Sequence, residues 1–99
     1  MMKLRYSRLA ESDLDEIAAY TIRQWGETQA GRYLSELEDC CERLTRNTRL
    51  GRSCDAVREG LRRMEQGSRV VFYNTNESGI VIERILHKSM VPELHEFES

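Results

Sequence analysis

Two apolar runs near the C-terminal end of the chain, residues 70–73 and 80–86, are rich in β-branched and aromatic side chains. The polar residues 74–79 between them include Asn and Gly, which readily adopt the backbone conformations of tight turns. This pattern predicts a β-hairpin. Neither run alternates cleanly with polar residues, which indicates strands that are apolar on both faces.

Charged side chains interrupt the second of these runs. By strict alternation, Arg84 shares a strand face with Ile82, whereas His87 shares the opposite face with Ile85. A charged group at the rim of an otherwise apolar hairpin marks this part of the chain as a candidate functional region.

Closer to the N-terminus, apolar residues recur every three or four positions, the spacing of one helix face. The first such stretch predicts a helix that starts after Ser7 or Ser12, either of which suits an N-cap, and ends at Gly26. The second predicts a helix over residues 28–46. Because the link between them is very short, the two helices are expected to lie antiparallel. The aromatic residues expected in their core or seam are Tyr20, Trp25 and Tyr33.

Two further strands complete the prediction. Residues 3–6 form a short first strand, and residues 60–65 form another that turns at 66–67 into the hairpin. The order predicts a single α+β domain spanning 1–99, in which an N-terminal strand and an antiparallel helical hairpin pack on a small antiparallel sheet. One sheet face is then predicted to remain uncovered and to require a partner protein. Its apolar residues are expected to be Leu61, Val71, Tyr73, Val81 and Ile85.

Charge is distributed unevenly along the chain. The net charge is −2, yet residues 43–69 contain eight arginines and only three acidic residues. A guanidinium group binds carboxylate or phosphate through two parallel hydrogen bonds, so this block predicts contacts with such groups. The alternative is a solvated surface with internal ion pairs.

The three cysteines are Cys40, Cys41 and Cys54, without a Cys-x-x-Cys spacing that would suggest zinc. They predict reduced thiols in a cytoplasmic protein, with no metal and no cofactor. Arg5 and Arg8 interrupt the only stretch that could act as a signal peptide, and no apolar run approaches the ~20 residues of a membrane helix.

The chain resembles the ParE-type toxins within the RelE/ParE superfamily of bacterial toxin–antitoxin modules. Each matching piece is short, but their order and distances are specific, and they span nearly the whole chain. The pieces are Ala10 with Asp13-Leu14, Ile17 and Tyr20; Trp25-Gly26 with Gln29-Ala30 and Tyr33; Gly51-Arg52 with Cys54-Asp55; Arg58 with Gly60-Leu61-Arg62-Arg63; Gly67 with Val70-Val71-Phe72-Tyr73; and Ile82, Arg84-Ile85-Leu86-His87, Met90 and His95.

This resemblance implies a toxin that inhibits DNA gyrase by trapping its cleavage complex with DNA, and so blocks replication. It also implies a ParD-like antitoxin whose flexible segment wraps the toxin, and whose ribbon-helix-helix part binds promoter DNA. The chain departs from the family at Thr48 and Ser53, where proline is common, and at Val91, where aspartate is usual.

A ribosome-dependent mRNA endoribonuclease of the RelE type is the main alternative. Such an enzyme needs cations for the scissile phosphate and an acid–base pair, but Lys3 and Lys88 are the only lysines. A binding module without toxicity is a third possibility. We therefore expect a binding protein rather than an enzyme. The residues predicted to contact antitoxin or target are Arg62, Arg63, Arg69, Tyr73, Arg84, His87 and Met90.

The sequence also suggests the surroundings of each of the two histidines. His87 is expected to be a strand-end residue hydrogen-bonded to the backbone, and His95 a solvated residue of the C-terminal tail.

Overall fold

A computed structural model describes residues 2–91 of the chain. The predicted α+β class, the N-terminal strand and the helical hairpin are confirmed. The elements in chain order are β1 (Lys3–Tyr6), α1 (Arg8–Trp25), α2 (Glu27–Arg46), β2 (Arg52–Ser53), β3 (Arg62–Gln66), β4 (Arg69–Thr75), β5 (Gly79–His87) and a single 3₁₀ turn (Lys88–Met90). The tail residues Pro92 and His95 lie outside the described residues.

The five strands form one mixed sheet in the order β1-β5-β4-β3-β2. The pairs β3–β4 and β4–β5 are antiparallel, as predicted, and β2 pairs with β3 in the same way, whereas β1 pairs with β5 in parallel. The short strand β2 adds an edge that the sequence did not indicate. Parallel pairing of β1 reaches only residues 79–82 of β5, so the rest of that strand has an open edge.

The ends of the helices follow from local chemistry. The Ser7 hydroxyl oxygen accepts a hydrogen bond from the Ala10 N–H at 3.0 Å, so the first of the two candidate caps starts α1. Gly26 has a φ of 88°, a value that favours glycine, and its N–H donates to the Ile22 carbonyl. Helix α2 begins at the next residue, so one glycine supplies the whole turn of the hairpin.

Two separate apolar clusters lie on the two faces of the sheet. The cluster between the sheet and the helices, on the side that we call the helix face, contains Ala10, Ile17, Leu37, Cys41, Leu44, Val71, Tyr73, Ile80, Ile82 and Ile85. The cluster on the other side, which we call the loop face, contains Cys54, Leu61, Val70, Phe72 and Leu86. Residues 54–61, which we call the cover segment, supply Cys54, Val57 and Leu61 to this second cluster.

The prediction of an uncovered apolar sheet face is therefore wrong. Val71, Tyr73 and Ile85 lie under the helices, and Leu61 is buried on the loop face by its own cover segment. No sequence pattern indicated that the irregular segment between β2 and β3 folds back over the sheet.

A β-bulge in β5 explains part of this error. Tyr73 pairs with Ile82, but the preceding Phe72 pairs with Arg84, which leaves Glu83 as an extra residue. The alternation shifts by one position at this point, so Ile85 joins Ile82 on the helix face. The assignment of these two residues to opposite faces by strict alternation was wrong for this reason.

Large apolar side chains are exposed mainly on α1 rather than on the sheet. Trp25 is 66% exposed and Tyr20 is 49% exposed, so placing these two residues in the core or seam was wrong. Tyr33 does pack against the helix-face cluster, as predicted. The remaining large apolar residues with exposed side chains in 2–91 are Leu9, Ile22, Leu50 and Met90.

All three cysteines are free thiols and are buried, in agreement with the sequence. Within residues 2–91, no group of His, Cys, Asp or Glu side chains is arranged to hold a metal ion. No helix in this range has the length and apolar character required to cross a membrane.

A candidate binding groove along the helical hairpin

A groove runs between α1 and the ends of β4 and β5, with a volume of about 590 Å³. A smaller hollow of about 270 Å³ continues it towards the turn of the helical hairpin, and Tyr20 and Arg69 line both. We call the combined feature the hairpin groove. The side chains on which its chemistry depends are Asp13, Glu16, Tyr20, Arg23, Trp25, Tyr33, Arg69, His87 and Met90.

Arg69 and His87 are brought together by strand pairing, because they are register partners at the ends of β4 and β5. The bulge at Glu83 directs His87 to the helix face, where the groove lies. The Nε atom of Arg69 is buried without a hydrogen-bond partner among the described residues. A buried donor of this kind is unfavourable until an acceptor reaches it.

His87 also ends β5 and caps the 3₁₀ turn that follows. Its Nδ1 accepts a hydrogen bond from the Ser89 N–H at 3.1 Å and lies 2.8 Å from the Ser89 hydroxyl oxygen. This agrees with the interpretation of a strand-end histidine bonded to backbone. Since Nδ1 is an acceptor, the proton of the neutral ring is on Nε2. The same turn carries Met90, whose side chain is exposed at the rim of the groove.

Arg84 forms an ion pair at the wall of the groove. Its Nε and Nη2 donate to the two carboxylate oxygens of Asp13 at 2.9 and 3.0 Å. The same carboxylate accepts from the Ile85 N–H at 2.9 Å, on the β5 edge that β1 leaves open. Asp13 therefore satisfies a backbone donor and fastens α1 to the sheet. Arg84, one of the predicted contact residues, thus has a carboxylate partner within the chain itself.

Tyr73 is fully buried, and its hydroxyl group holds the segment that follows α2. The hydroxyl donates to the Thr48 carbonyl at 2.8 Å and accepts from the Gly51 N–H at 3.0 Å. A Cβ atom at Gly51 would lie 2.4 Å from the Arg63 carbonyl oxygen, so glycine is required there. This placement gives no support to the predicted contact role of Tyr73.

Arg62 and Arg63 lie away from the hairpin groove. Arg62 donates to the carbonyl oxygens of Gly51 and Arg49 at 2.5 and 3.5 Å. Arg63 pairs with Glu65 at 3.2 Å, and its guanidinium carbon lies 5.8 Å from the centre of the Phe72 ring. The structure thus brings Arg69, His87 and Met90 into one groove, with Arg84 beside it, and places the other predicted residues elsewhere.

Sequence reasoning missed the residues that α1 contributes to the groove. Glu16, Tyr20 and Arg23 lie at intervals of four and three, which places them on one face of the helix. That spacing was available in the sequence. What it could not show is that this face borders a groove instead of the sheet.

The charges that line the groove nearly balance. Asp13 and Glu16 oppose Arg23 and Arg69, and Asp13 is already bound by Arg84. Aromatic side chains occupy the other end, around Trp25 and Tyr33. Such a surface suits an amphipathic peptide segment, because its apolar side chains can pack at the aromatic end and a carboxylate of the segment can pair with Arg69 or Arg23.

Comparison with known proteins agrees with this fold. A family model described as "ParE toxin of type II toxin-antitoxin system, parDE" matches residues 4–92. A "Toxin ParE1" from Mycobacterium tuberculosis is 41% identical over 92 residues, covering 90% of this chain and 94% of the relative. A "Toxin ParE1" from Caulobacter vibrioides is 38% identical over 97 residues, covering 96% and 98%.

Solved structures share the fold at lower identity. A structure titled "Chromosomal ParDE TA system from P. aeruginosa" has a TM-score of 0.74 at 22% identity and covers 88% of this chain and 96% of that one. The "E.coli DinJ-YafQ complex" has a TM-score of 0.51 at 15% identity, with coverage of 90% and 96%. The match of the family model over almost the whole chain, with close relatives of the same length, confirms the resemblance found in the sequence. The chain belongs to the ParE toxin family of type II toxin–antitoxin systems.

Proposed function

We propose that this toxin inhibits DNA gyrase and thereby replication, and that a ParD-like antitoxin neutralises it by occupying the hairpin groove. In this proposal, promoter DNA is bound through the ribbon-helix-helix part of the antitoxin. The supporting facts are membership of the ParE family and the relatives named as ParE toxins and a ParDE system.

The observation that carries the antitoxin part of the proposal is the hairpin groove. Tyr20, Trp25 and Met90 are exposed along it, and charged residues flank them. Large aromatic side chains next to a cleft are the usual anchors of protein–protein interfaces. An antitoxin segment that buries them would also bring an acceptor within reach of Arg69.

The arrangement of the candidate acids and bases supports binding without turnover. The Tyr73 hydroxyl is buried and holds a loop, and His87 uses Nδ1 to cap a turn. Arg84 is occupied by Asp13. The Tyr73 hydroxyl and the Arg84 guanidinium are therefore held in structural contacts, and of these three groups only His87, through Nε2, could exchange a proton with a bound molecule.

One observation favours the RelE-type ribonuclease as a second candidate function. Arg23, Arg69 and His87 line the same groove, so two cations lie near a histidine whose Nε2 is not used by the 3₁₀ turn. The Glu16 carboxylate lines the same groove and opposes binding of an RNA phosphate, which is why this remains the second candidate.

To test gyrase as the target, the purified chain is incubated with gyrase and supercoiled plasmid. We expect trapped cleavage complexes or loss of supercoiling. The variant Arg69→Gln tests the groove, and Arg32→Gln, an exposed change on α2, is the control. Cleavage of translated mRNA in a lysate, with gyrase unaffected, would favour the ribonuclease. A chain that leaves both untouched and is harmless when expressed would be the non-toxic module.

The experiment for neutralisation uses the small protein encoded next to the toxin gene. We expect Trp25→Ala to weaken its binding by about 2 kcal/mol or more, as for a central aromatic anchor. Ile22→Ala is the matched control, because Ile22 is an exposed apolar residue of the same helix that does not line the groove. Equal effects of the two variants would contradict the proposed binding site.

A further inference from the structure

Six arginines lie outside the hairpin groove, along the end of α2 and the β2–β3 edge of the sheet, where the side chains from the two sheet faces meet. Four of them recur at every third position from the end of α2 to β2, and two are adjacent in β3. We call this surface the arginine strip, and it consists of Arg43, Arg46, Arg49, Arg52, Arg62 and Arg63.

Hydrogen bonds and strand pairing connect the two parts of the strip. Arg62 reaches across to the carbonyl oxygens of Arg49 and Gly51, and Arg52 is the register partner of Arg63 between β2 and β3. Like charges directly opposite in a sheet are unfavourable. The Glu65 carboxylate, which pairs with both arginines, offsets part of this repulsion.

The strip is only partly neutralised within the chain. Glu65 is shared between Arg52 at 3.6 Å and Arg63 at 3.2 Å. Arg43 donates to the neutral amide of Gln66 at 3.4 Å. Arg46 and Arg49 are exposed, and neither forms an ion pair within residues 2–91. Exposed guanidinium groups in this arrangement are available to an external anion.

The composition of the strip indicates which anion fits. Its cations are all arginine, which binds phosphate through paired hydrogen bonds. Leu50 is the one large apolar residue between them with an exposed side chain, so the surface lacks the anchors of a protein interface. Single-stranded nucleic acids are normally bound by stacking on aromatic side chains. The aromatic residues nearest in sequence, Phe72 and Tyr73, are buried.

We propose that the arginine strip binds the phosphate backbone of double-stranded DNA, independently of base sequence. This goes beyond promoter binding through the antitoxin, because the toxin itself makes the contact. It also does not depend on gyrase inhibition. The three acidic residues of the same region, Asp55, Glu59 and Glu65, keep the interaction weak and confine it to the strip.

The first test measures binding of the full chain to a fluorescently labelled duplex of about 20 base pairs between 50 and 200 mM salt. Contact with about four phosphates predicts a slope of log affinity against log salt near −3.6, and therefore a loss of about 100-fold over this range. Absence of salt-dependent binding at 50 mM would overturn the proposal. So would tighter binding of a single-stranded oligonucleotide, of polyglutamate or of anionic lipid vesicles.

The second test compares two double variants with the same change in charge. Arg46→Glu with Arg49→Glu removes the two unpaired cations of the strip, and we expect at least a tenfold loss of duplex affinity with a salt slope reduced by about two. Arg5→Glu with Arg32→Glu changes exposed residues outside the strip and should cost less than threefold. Equal losses would show a non-specific charge effect and overturn the proposal.

Melting and gyrase assays show whether a loss of duplex binding comes from unfolding of the variant, and whether it is separate from gyrase inhibition. All four positions are exposed, so both double variants should melt within a few degrees of the original chain. If the strip variant loses duplex binding and still inhibits gyrase, the two proposals are independent, as stated. If the original chain inhibits gyrase but binds no duplex, only the proposal about the strip fails.

Discussion

The two faces of the sheet contain the same kinds of parts in different surroundings. Each has a fully buried leucine, a buried cysteine and an arginine–carboxylate pair. On the helix face these are Leu44, Cys41 and the pair Arg84–Asp13. On the loop face they are Leu61, Cys54 and the pair Arg58–Glu83.

The difference lies in what covers each face. Two helices of 18 and 20 residues cover the helix face, and the buried pair Arg84–Asp13 fastens one of them to β5. The cover segment of the loop face is irregular and bonds to itself, for example through the Cys54 N–H and the Leu61 carbonyl at 2.7 Å. Its tie to the sheet is Arg58, whose side chain is largely exposed. We therefore expect the loop face to open at a lower cost than the helix face.

A matched pair of cavity mutations gives the largest expected effect. Leu44→Ala on the helix face should lower the free energy of unfolding by about 4 kcal/mol, because the helices can close the cavity only partly. Leu61→Ala on the loop face should cost about 2 kcal/mol, since the cover segment can settle into the space. Chemical denaturation measures both. Equal losses would mean that the loop face is packed as rigidly as the helix face.

The ion pair of the helix face gives the second effect. Asp13→Ala removes the two hydrogen bonds from Arg84 and leaves the Ile85 N–H without an acceptor, and we expect the free energy of unfolding to fall by about 3 kcal/mol. Asp15→Ala, an exposed change in the same turn of α1, should change stability by less than about 0.5 kcal/mol. If Asp13→Ala is as mild as its control, α1 is held by apolar packing alone.

Alkaline pH provides a third comparison. Burial raises the pKa of the Cys41 thiol to about 12, against 9.0 for an exposed thiol. Between pH 9 and pH 12 the Cys41 thiol is deprotonated in the unfolded chain but still protonated in the folded one. Its contribution should therefore lower the free energy of unfolding by about 1.4 kcal/mol for each pH unit above 9, and should be constant below pH 9. The pKa of Cys54 is also raised by burial, but the neighbouring Arg63 opposes the rise, so its contribution should be smaller.

Denaturation at pH 8, 9.5 and 10.5 checks this difference. Cys41→Ala should flatten the alkaline slope more than Cys54→Ala does. Burial also raises the pKa of Tyr6, which packs beside Cys41, so part of the slope should remain in both variants. If Cys54→Ala flattens the alkaline slope more than Cys41→Ala does, the loop face and not the helix face holds the thiol with the more strongly raised pKa.

The smallest effect on stability is expected at the tie of the cover segment. Arg58→Ala removes an exposed ion pair and should cost less than about 1 kcal/mol. It should nevertheless increase the rate at which a thiol reagent labels Cys54 severalfold, because Cys54 is a buried residue of the cover segment and becomes accessible when that segment lifts from the sheet. Cys40 and Cys41 in α2 are the internal control and should react no faster. Unchanged labelling of Cys54 would show that Arg58 does not hold the segment.

The sequence predicted the elements well because their signals are local. The cap at Ser7, the turn at Gly26 and the strand-end role of His87 each depend on residues within a few positions. The cover segment and the extra residue Glu83 depend instead on strand register and on contacts between distant parts of the chain. No periodicity in the sequence reports these.

The same distinction explains how much of the candidate site could be predicted. His87 was identified because a charged group at the end of an apolar hairpin stands out, Arg69 because it belongs to the arginine block, and Met90 through the family resemblance. Tyr20 and Trp25 were assigned to the core because large aromatic residues are usually buried. Periodicity shows which residues share a helix face, but it does not show how much of that face the sheet covers.

The bulge at Glu83 has a consequence for how this fold can change. Deleting that single residue would exchange the two sides of the last part of β5, turning His87 away from the helices and Leu86 towards them. The presence of this single residue therefore determines which side chains of β5 line the hairpin groove and which belong to the apolar cluster of the loop face. Lengthening or shortening this strand in an engineered variant or a distant relative would alter both surfaces together, whereas substitutions at its individual positions can alter them one at a time.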